Sequence, residues 1–188
     1  MKAKFLSALL ALTMVLSLLP TAVLAKDKTV STEEELKQAI ESVSDGDTIT
    51  VSGTIEVNAP LVVTHTITLT GGSIVASNNF TSNSNQLADF NLISLKTAGK
   101  TLTLKNITLN ANGKSLVVYC NAGKVVVDGA TITGGKTSSY VAGVYMTSAS
   151  QFEMNSGSIT GNEVGDSFKN DHYTQYASDL WIGANANG

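Results

Sequence analysis

The sequence predicts an all-β fold in which short parallel strands stack as the coils of a β-solenoid, with one amphipathic helix at the N-terminal end. Two observations predict it: a template of apolar residues recurs after residue 47, and a single stretch before it has helical periodicity. A third is that the 188 residues include one cysteine, Cys120, which excludes an internal disulfide. The fold must then be held by its core, and Cys120 is expected to be a small buried side chain.

Residues 1–25 predict a secretory signal peptide. A start with two lysines precedes the apolar stretch Phe5–Leu19, and small or branched residues follow at Val23–Ala25. The apolar stretch is about 15 residues, short of the roughly 20 that span a bilayer. We therefore expect a secreted or cell-surface protein with no membrane span after signal removal. An uncleaved N-terminal anchor is the alternative.

Residues 26–46 are expected to hold the N-terminal capping helix. The helical pattern covers Thr29–Val43, and two overlapping capping boxes, Ser31–Glu34 and Thr32–Glu35, stand at its start. Turn residues Asp45–Asp47 end it. One apolar stripe runs along the helix: Leu36, Ala39, Ile40 and Val43.

The repeat begins after Asp47, and residues 47–188 are assigned to the solenoid. Each copy has an apolar residue, a short polar turn and a second apolar residue five positions on. The starts of the copies follow one another at steps of 35, 23 and 27 residues, and the longest step places its extra length in a loop at 78–89. The four copies are Leu69–Ile74, Leu104–Leu109, Val127–Ile132 and Met154–Ile159.

A second set of apolar segments runs in phase with the first. Three of them each precede a polar turn: Leu92–Leu95, Leu116–Tyr119 and Gly143–Met146. Their last residues, Leu95, Tyr119 and Met146, are taken as equivalent, at steps of 24 and 27 residues. A further copy begins at Asp179–Ile182.

Each coil of about 23 to 27 residues then has three short strands and cannot bury an apolar face alone, so stacking is needed to form a shared core. The helix is placed to cover the first edge of the stack. The last edge has no such cover, so we expect it to pack on missing sequence or on a partner, as in a truncated solenoid. A β-sandwich of short strands is the competing fold.

The repeat resembles a known family. Ala142–Asn162 resembles the repeat of bacterial surface proteins with right-handed parallel β-helices, similar to polymorphic outer-membrane and adhesin-like repeats, and Val125–Gly134 looks like a second copy. Thr29–Ile55 resembles the entry segment of pectate-lyase-like β-helices. The resemblance implies a right-handed parallel β-helix, a class that includes polysaccharide lyases and hydrolases, but a fold does not fix an activity.

Catalytic patterns are weak. The chain has no Arg, the usual base of the lyases that it resembles, and no Gly-His-Gly motif of the hydrolases. Asp128 and Glu153 fall on consecutive coils but at template positions two residues apart, which favours two solvated side chains over a catalytic pair. No metal or other cofactor is expected, and calcium enters only under the lyase alternative. A net charge of −3 with no basic run gives no reason to expect nucleic acid.

The segment after Asn162 is the candidate ligand-binding loop, because it concentrates acidic, basic, imidazole and aromatic side chains in an excursion from a rigid stack. Trp181, on the following strand, extends it. Aromatic rings with nearby polar groups suit sugar recognition. The candidate residues are Asp166, Lys169, Asp171, His172, Tyr173, Tyr176 and Trp181.

Three functions stay open. The first is a non-catalytic, adhesin-like protein that presents loops to a polysaccharide or cell-surface glycan. The second is a polysaccharide lyase or glycoside hydrolase fragment, with its site in the candidate loop or in coils beyond residue 188. The third is a structural stalk.

Overall fold

The protein, seen here as a computed structural model described over residues 26–82, 86, 88–138, 141–165 and 178–183, is mostly β-strand with one α-helix. The predicted signal, residues 1–25, lies outside these ranges. The elements in chain order are β1 Asp27–Val30, α1 Glu33–Ser42, β2 Asp47–Val57, β3 Leu61–Val63, β4 Ile67–Ala76, β5 Asn91–Leu95, β6 Thr101–Lys105, β7 Thr108–Asn110, β8 Leu116–Cys120, β9 Lys124–Thr133, β10 Lys136–Thr137, β11 Val144–Met146, β12 Gln151–Ile159, β13 Glu163–Val164 and β14 Leu180–Ile182.

All strand pairs within the described ranges are parallel, and they form three sheets. The seven-stranded sheet has the order β1-β2-β4-β6-β9-β12, with β7 between β4 and β9. The five-stranded sheet has the order β14-β11-β8-β5-β3, and β10 pairs with β13. From β2 onward, neighbours in each large sheet are separated along the chain by a strand of the other sheet, so the chain alternates between the two sheets.

The predicted template gives the register of the seven-stranded sheet. Its first apolar positions are Cα partners from strand to strand, and so are its second. These positions are buried except on β12, because side chains alternate across each strand and one set faces the core. The two columns are Leu69, Leu104, Val127 and Met154, and Ile74, Leu109, Ile132 and Ile159.

Each long strand of this sheet bends between its two apolar positions. A residue with positive φ marks the bend, and four of the five are glycine, which reaches this region at no steric cost. The exception is asparagine, which tolerates it better than other residues. The side chain at the second apolar position of each copy therefore faces the core again after the bend. The bend residues are Gly53, Gly71, Asn106, Gly129 and Gly157.

The helix is shorter than predicted, and the range Thr29–Val43 was wrong at its start. Thr29 and Val30 belong to β1, where parallel pairing with Thr50 and Val51 of β2 overrides the local helical pattern. The helix α1 starts after Thr32, whose Oγ1 accepts a hydrogen bond from Glu35 N at 3.2 Å.

The predicted apolar stripe of α1 is buried in the same core as the strands. Leu36 is fully buried, and α1 packs against β1, β2 and β3. The Glu33 carboxylate accepts hydrogen bonds from Asn58 N and Nδ2 at 2.8 and 2.7 Å, which ties the helix to the end of β2. The helix therefore covers the N-terminal end of the stacked strands.

The second set of segments pairs as predicted except at one position, where the register was wrong by one residue. Leu95 and Met146 both pair with Cys120, while Tyr119 pairs with Ser94 and Tyr145. Cys120, which follows the predicted segment Leu116–Tyr119, is the last residue of β8. It is fully buried and carries a free thiol whose pKa is raised by that burial.

Candidate functional site

An aromatic column lies on the outer face of the five-stranded sheet. It consists of Tyr119 on β8, Tyr145 on β11 and Trp181 on β14, which are Cα partners on successive strands. The residues on either side of Tyr119 and Tyr145 are buried in the core, so alternation along the strand places these rings on the opposite face, and Trp181 is in register with them. Because the register repeats, the three rings form one row across the sheet.

The first two rings of the column stack on each other. The ring centroids of Tyr119 and Tyr145 are 5.7 Å apart and their planes differ by 10°. Such offset pairs contribute about 0.5–1.5 kcal/mol beyond the area that they bury. Trp181 is half-buried at the end of the row, and β14 is the last strand of this sheet in the described part of the chain.

Two loops pack along the aromatic column. Leu116 and Val141 are fully buried beside Tyr119, and Ala88 adds a partly buried methyl group. Thr137 Oγ1 donates a hydrogen bond to the Val141 carbonyl at 2.8 Å, and Asn91 Nδ2 donates one to the Ala88 carbonyl at 2.9 Å. These bonds anchor both loops to residues at or near strand ends.

The environment of Tyr119 disfavours ionisation of its phenol. Burial raises the pKa of Tyr119 above its ordinary value, and the nearby Tyr145 and Asp89 raise it further. A neutral phenol can donate as well as accept a hydrogen bond. The column therefore combines apolar ring surface with hydroxyl groups.

Most of the predicted loop lies outside the described residues: Asp166, Lys169, Asp171, His172, Tyr173 and Tyr176. The residues that flank that segment are described. Gly165 N donates to the Thr137 carbonyl at 2.7 Å, and the Ser178 carbonyl accepts from Ala142 N and Gly143 N at 3.0 and 2.9 Å. Both flanks thus attach beside the loop that packs on the aromatic column, and Trp181 follows three residues after Ser178.

Tyr119 and Tyr145 were not among the predicted site residues. The signal that could have found them is the alignment of Val118–Cys120 with Val144–Met146 and Leu180–Ile182, which places an aromatic residue at the centre of each. Taking Tyr119 as the equivalent of Leu95 and Met146 shifted this alignment by one residue.

The two acids considered for catalysis are apart and separately bonded. Glu153 forms an ion pair with Lys124 at 2.6 Å, and hydrogen bonds from Lys124 and then Asn155 lower the pKa of its carboxyl group. Asp128 Oδ1 lies 3.3 Å from the Ser156 hydroxyl, which donates to it. Glu153 is the register partner of Val126, two positions from Asp128.

Within the described ranges, no three His, Cys, Asp or Glu side chains come together in a way that could hold a metal ion. The same residues include no helix with the length and hydropathy to cross a lipid bilayer.

Comparison of the chain with protein-family models, with curated proteins and with solved structures finds no match.

Proposed function

We propose that this chain is an exported right-handed parallel β-helix that binds a polysaccharide or cell-surface glycan without cleaving it. The observation that carries the binding proposal is the aromatic column. Sugar rings have apolar faces that stack on aromatic side chains and hydroxyl groups that hydrogen-bond to polar neighbours, and the column offers both kinds of contact.

Parallel pairing supports the β-helix over the β-sandwich, since sandwiches are built from antiparallel sheets. The chain leaves one sheet, crosses to the other and returns one position along, and two columns of apolar positions keep register through this alternation. Connections between parallel strands of one sheet are right-handed in nearly all proteins, which gives the coil its hand.

The sequence of residues 1–25 supports export. The ion pair of Glu153 with Lys124 supports binding over catalysis, because a carboxylate kept ionised by a lysine is a poor general acid.

Trp181 is the residue on which binding should depend most. The rings of Tyr119 and Tyr145 are stacked on each other, which leaves their faces less available to a ligand. Trp181 ends the row and lies five residues after Tyr176, the last residue of the predicted loop.

The test mixes the purified protein with acidic and neutral polysaccharides, with and without calcium, and follows co-elution and polymer length by size-exclusion chromatography. We expect co-elution with at least one polymer of unchanged length. Trp181→Ala should weaken binding at least about tenfold, the loss of roughly 1.4 kcal/mol.

Val62→Ala is the matched control, because Val62 is 46% exposed on the same outward column at its far end. It should bind like the native protein. Shortened polymer would overturn the binding proposal in favour of a lyase or hydrolase, and equal binding by both variants would remove the aromatic column from the site.

A structural stalk is the second candidate, favoured by the stacking of Tyr119 on Tyr145, which stabilises neighbouring strands whether or not a ligand exists. On that reading Trp181→Ala would lower the melting temperature and no polysaccharide would co-elute.

A further inference from the structure

The C-terminal end of the described stack, formed by β12 and β14 and here called the open end, exposes the core. Met154 is 43% exposed, although its column partner Val127 is fully buried. Ile182 is 53% exposed, although its partner Met146 is fully buried. An apolar row on a strand edge is a surface that proteins cover, since it otherwise pairs with other chains.

The two ends of the stack differ. At the N-terminal end, α1 buries Leu36 and Ile40 against the strands. The open end of one molecule consequently cannot dock on the N-terminal end of the next without displacing a packed helix. Two copies that meet open end to open end leave both helices in place.

We propose that two copies of this chain associate through their open ends as a closed dimer with two-fold symmetry. A two-fold interface requires a surface that complements itself. The sequence of β12 is complementary to itself about a point between Asn155 and Ser156. An antiparallel partner placed about that point sets Phe152 opposite Ile159 and Met154 opposite Gly157.

These facing pairs combine side chains that suit each other. Phe152, Met154 and Ile159 belong to the apolar columns of the sheet, so the pairing extends the core across the interface. A long side chain faces glycine at Met154, which leaves it space. The axis lies within the irregular part of β12, between Met154 and Gly157, so the first half of the strand meets the second half of the partner strand.

The charges at the open end also permit a like-to-like contact. Glu153 is held by Lys124 at 2.6 Å and Glu163 by Lys136 at 3.2 Å, and both lysines come from the preceding coil. Each acid therefore brings its own counter-charge, and two identical ends meet without a row of like charges. This interface uses the inward columns of the sheets and does not rest on the proposed glycan binding.

The first test is sedimentation of the purified protein over a range of concentrations. We expect twice the monomer mass with no larger species. Met154→Lys, which puts a charge opposite Gly157 of the other copy, should sediment as a monomer at the same concentrations. Val62→Lys, at an equally exposed apolar position on a different face, should remain a dimer.

The second test locates the contact. Asn155→Cys should form a disulfide-linked dimer under mild oxidation, because the two copies of residue 155 lie beside the symmetry axis. Ser52→Cys is the matched control: it occupies the bend of β2, at the other end of the stack. The native Cys120 is fully buried, so the unmodified protein should not cross-link.

A native protein that is monomeric throughout, a ladder of larger oligomers, or a dimer that survives Met154→Lys would each overturn the proposal. Cross-linking of Ser52→Cys as efficiently as Asn155→Cys would overturn it as well. Circular dichroism shows whether each variant is folded, and the cross-link gives an answer even if Met154→Lys is not.

Discussion

Asp47 is a buried carboxylate at the start of β2, only 3% exposed. Its Oδ1 accepts a hydrogen bond from Lys26 N at 2.8 Å and its Oδ2 accepts one from Ser44 N at 2.9 Å. These two bonds, the first and then the second, lower the pKa of Asp47 below its ordinary value. The side chain thereby joins the segment before β1, the end of α1 and the beginning of β2.

This environment predicts a loss of stability in acid. Because the pKa of Asp47 is lower in the folded than in the unfolded protein, its contribution is complete above the unfolded pKa of about 3.9 and is lost as the pH falls through the folded value. Asp47→Asn should lower the melting temperature at pH 7, and its difference from the native protein should shrink below pH 4. Thermal melts at several pH values measure this.

Asp27→Asn is the control, because Asp27 is an exposed carboxylate on the neighbouring strand β1, next to the position of Asp47 in the sheet. A constant difference between native and Asp47→Asn proteins from pH 7 to pH 3 would contradict the assignment.

The bends of the long strands are the features that depend most on one residue type. Gly129 has φ +76°, and a Cβ there would lie 2.2 Å from Oδ1 of Asn106, which stands between β6 and β7. Alanine at this position would be strained by its backbone conformation and by this contact. The bend is consequently fixed by glycine on one strand and by the neighbouring asparagine together.

We predict that Gly129→Ala destabilises the protein by more than about 1 kcal/mol, the usual scale for alanine at positive φ. Urea unfolding gives the free-energy difference. Asp128→Ala, one residue earlier in the same bend, removes a half-exposed side chain and should change stability by about 0.5 kcal/mol or less. Equal effects of the two substitutions would show that the bend does not require glycine.

At the level of elements, the sequence was informative where apolar spacing decides the structure. Leu69, Leu104 and Val127 are partners because each begins a copy of the template. The short strand β1 gave no such signal, since its pairing with residues about 20 positions away is a tertiary contact that local pattern does not contain. For that reason the predicted helix wrongly included Thr29 and Val30.

It was harder to predict which residues of β8 face the core and which face outward. Its five residues are all buried, so the strand lacks the alternation of buried and exposed positions that identifies an inward face. The loops that cover Tyr119 from outside cause this. The aromatic column was missed as a result, and only Trp181 of its three members was predicted.

The stability of the whole molecule depends on unbroken columns of apolar side chains across its sheets. Leu104 lies in the middle of one and is fully buried between Leu69 and Val127. Leu104→Ala should destabilise the protein by about 2–5 kcal/mol, the range for large-to-small changes in cores. Urea unfolding measures it against Val62→Ala, which should cost about 0.5 kcal/mol or less because Val62 is exposed.

A loss below about 1 kcal/mol for Leu104→Ala would indicate that the neighbouring strands repack around the missing side chain and that the column does not need a large residue here.

The alternation of the chain between two parallel sheets also has a mechanical consequence. Hydrogen bonds between strands run across each sheet, from one strand to the next. In the proposed β-helix, a force that pulls the chain ends apart in this direction acts on the bonds between one coil and the next in turn. Such a stack yields in steps, each releasing the length of a coil while the coils behind it stay folded, so the protein would extend under load as a tether instead of breaking as a rod.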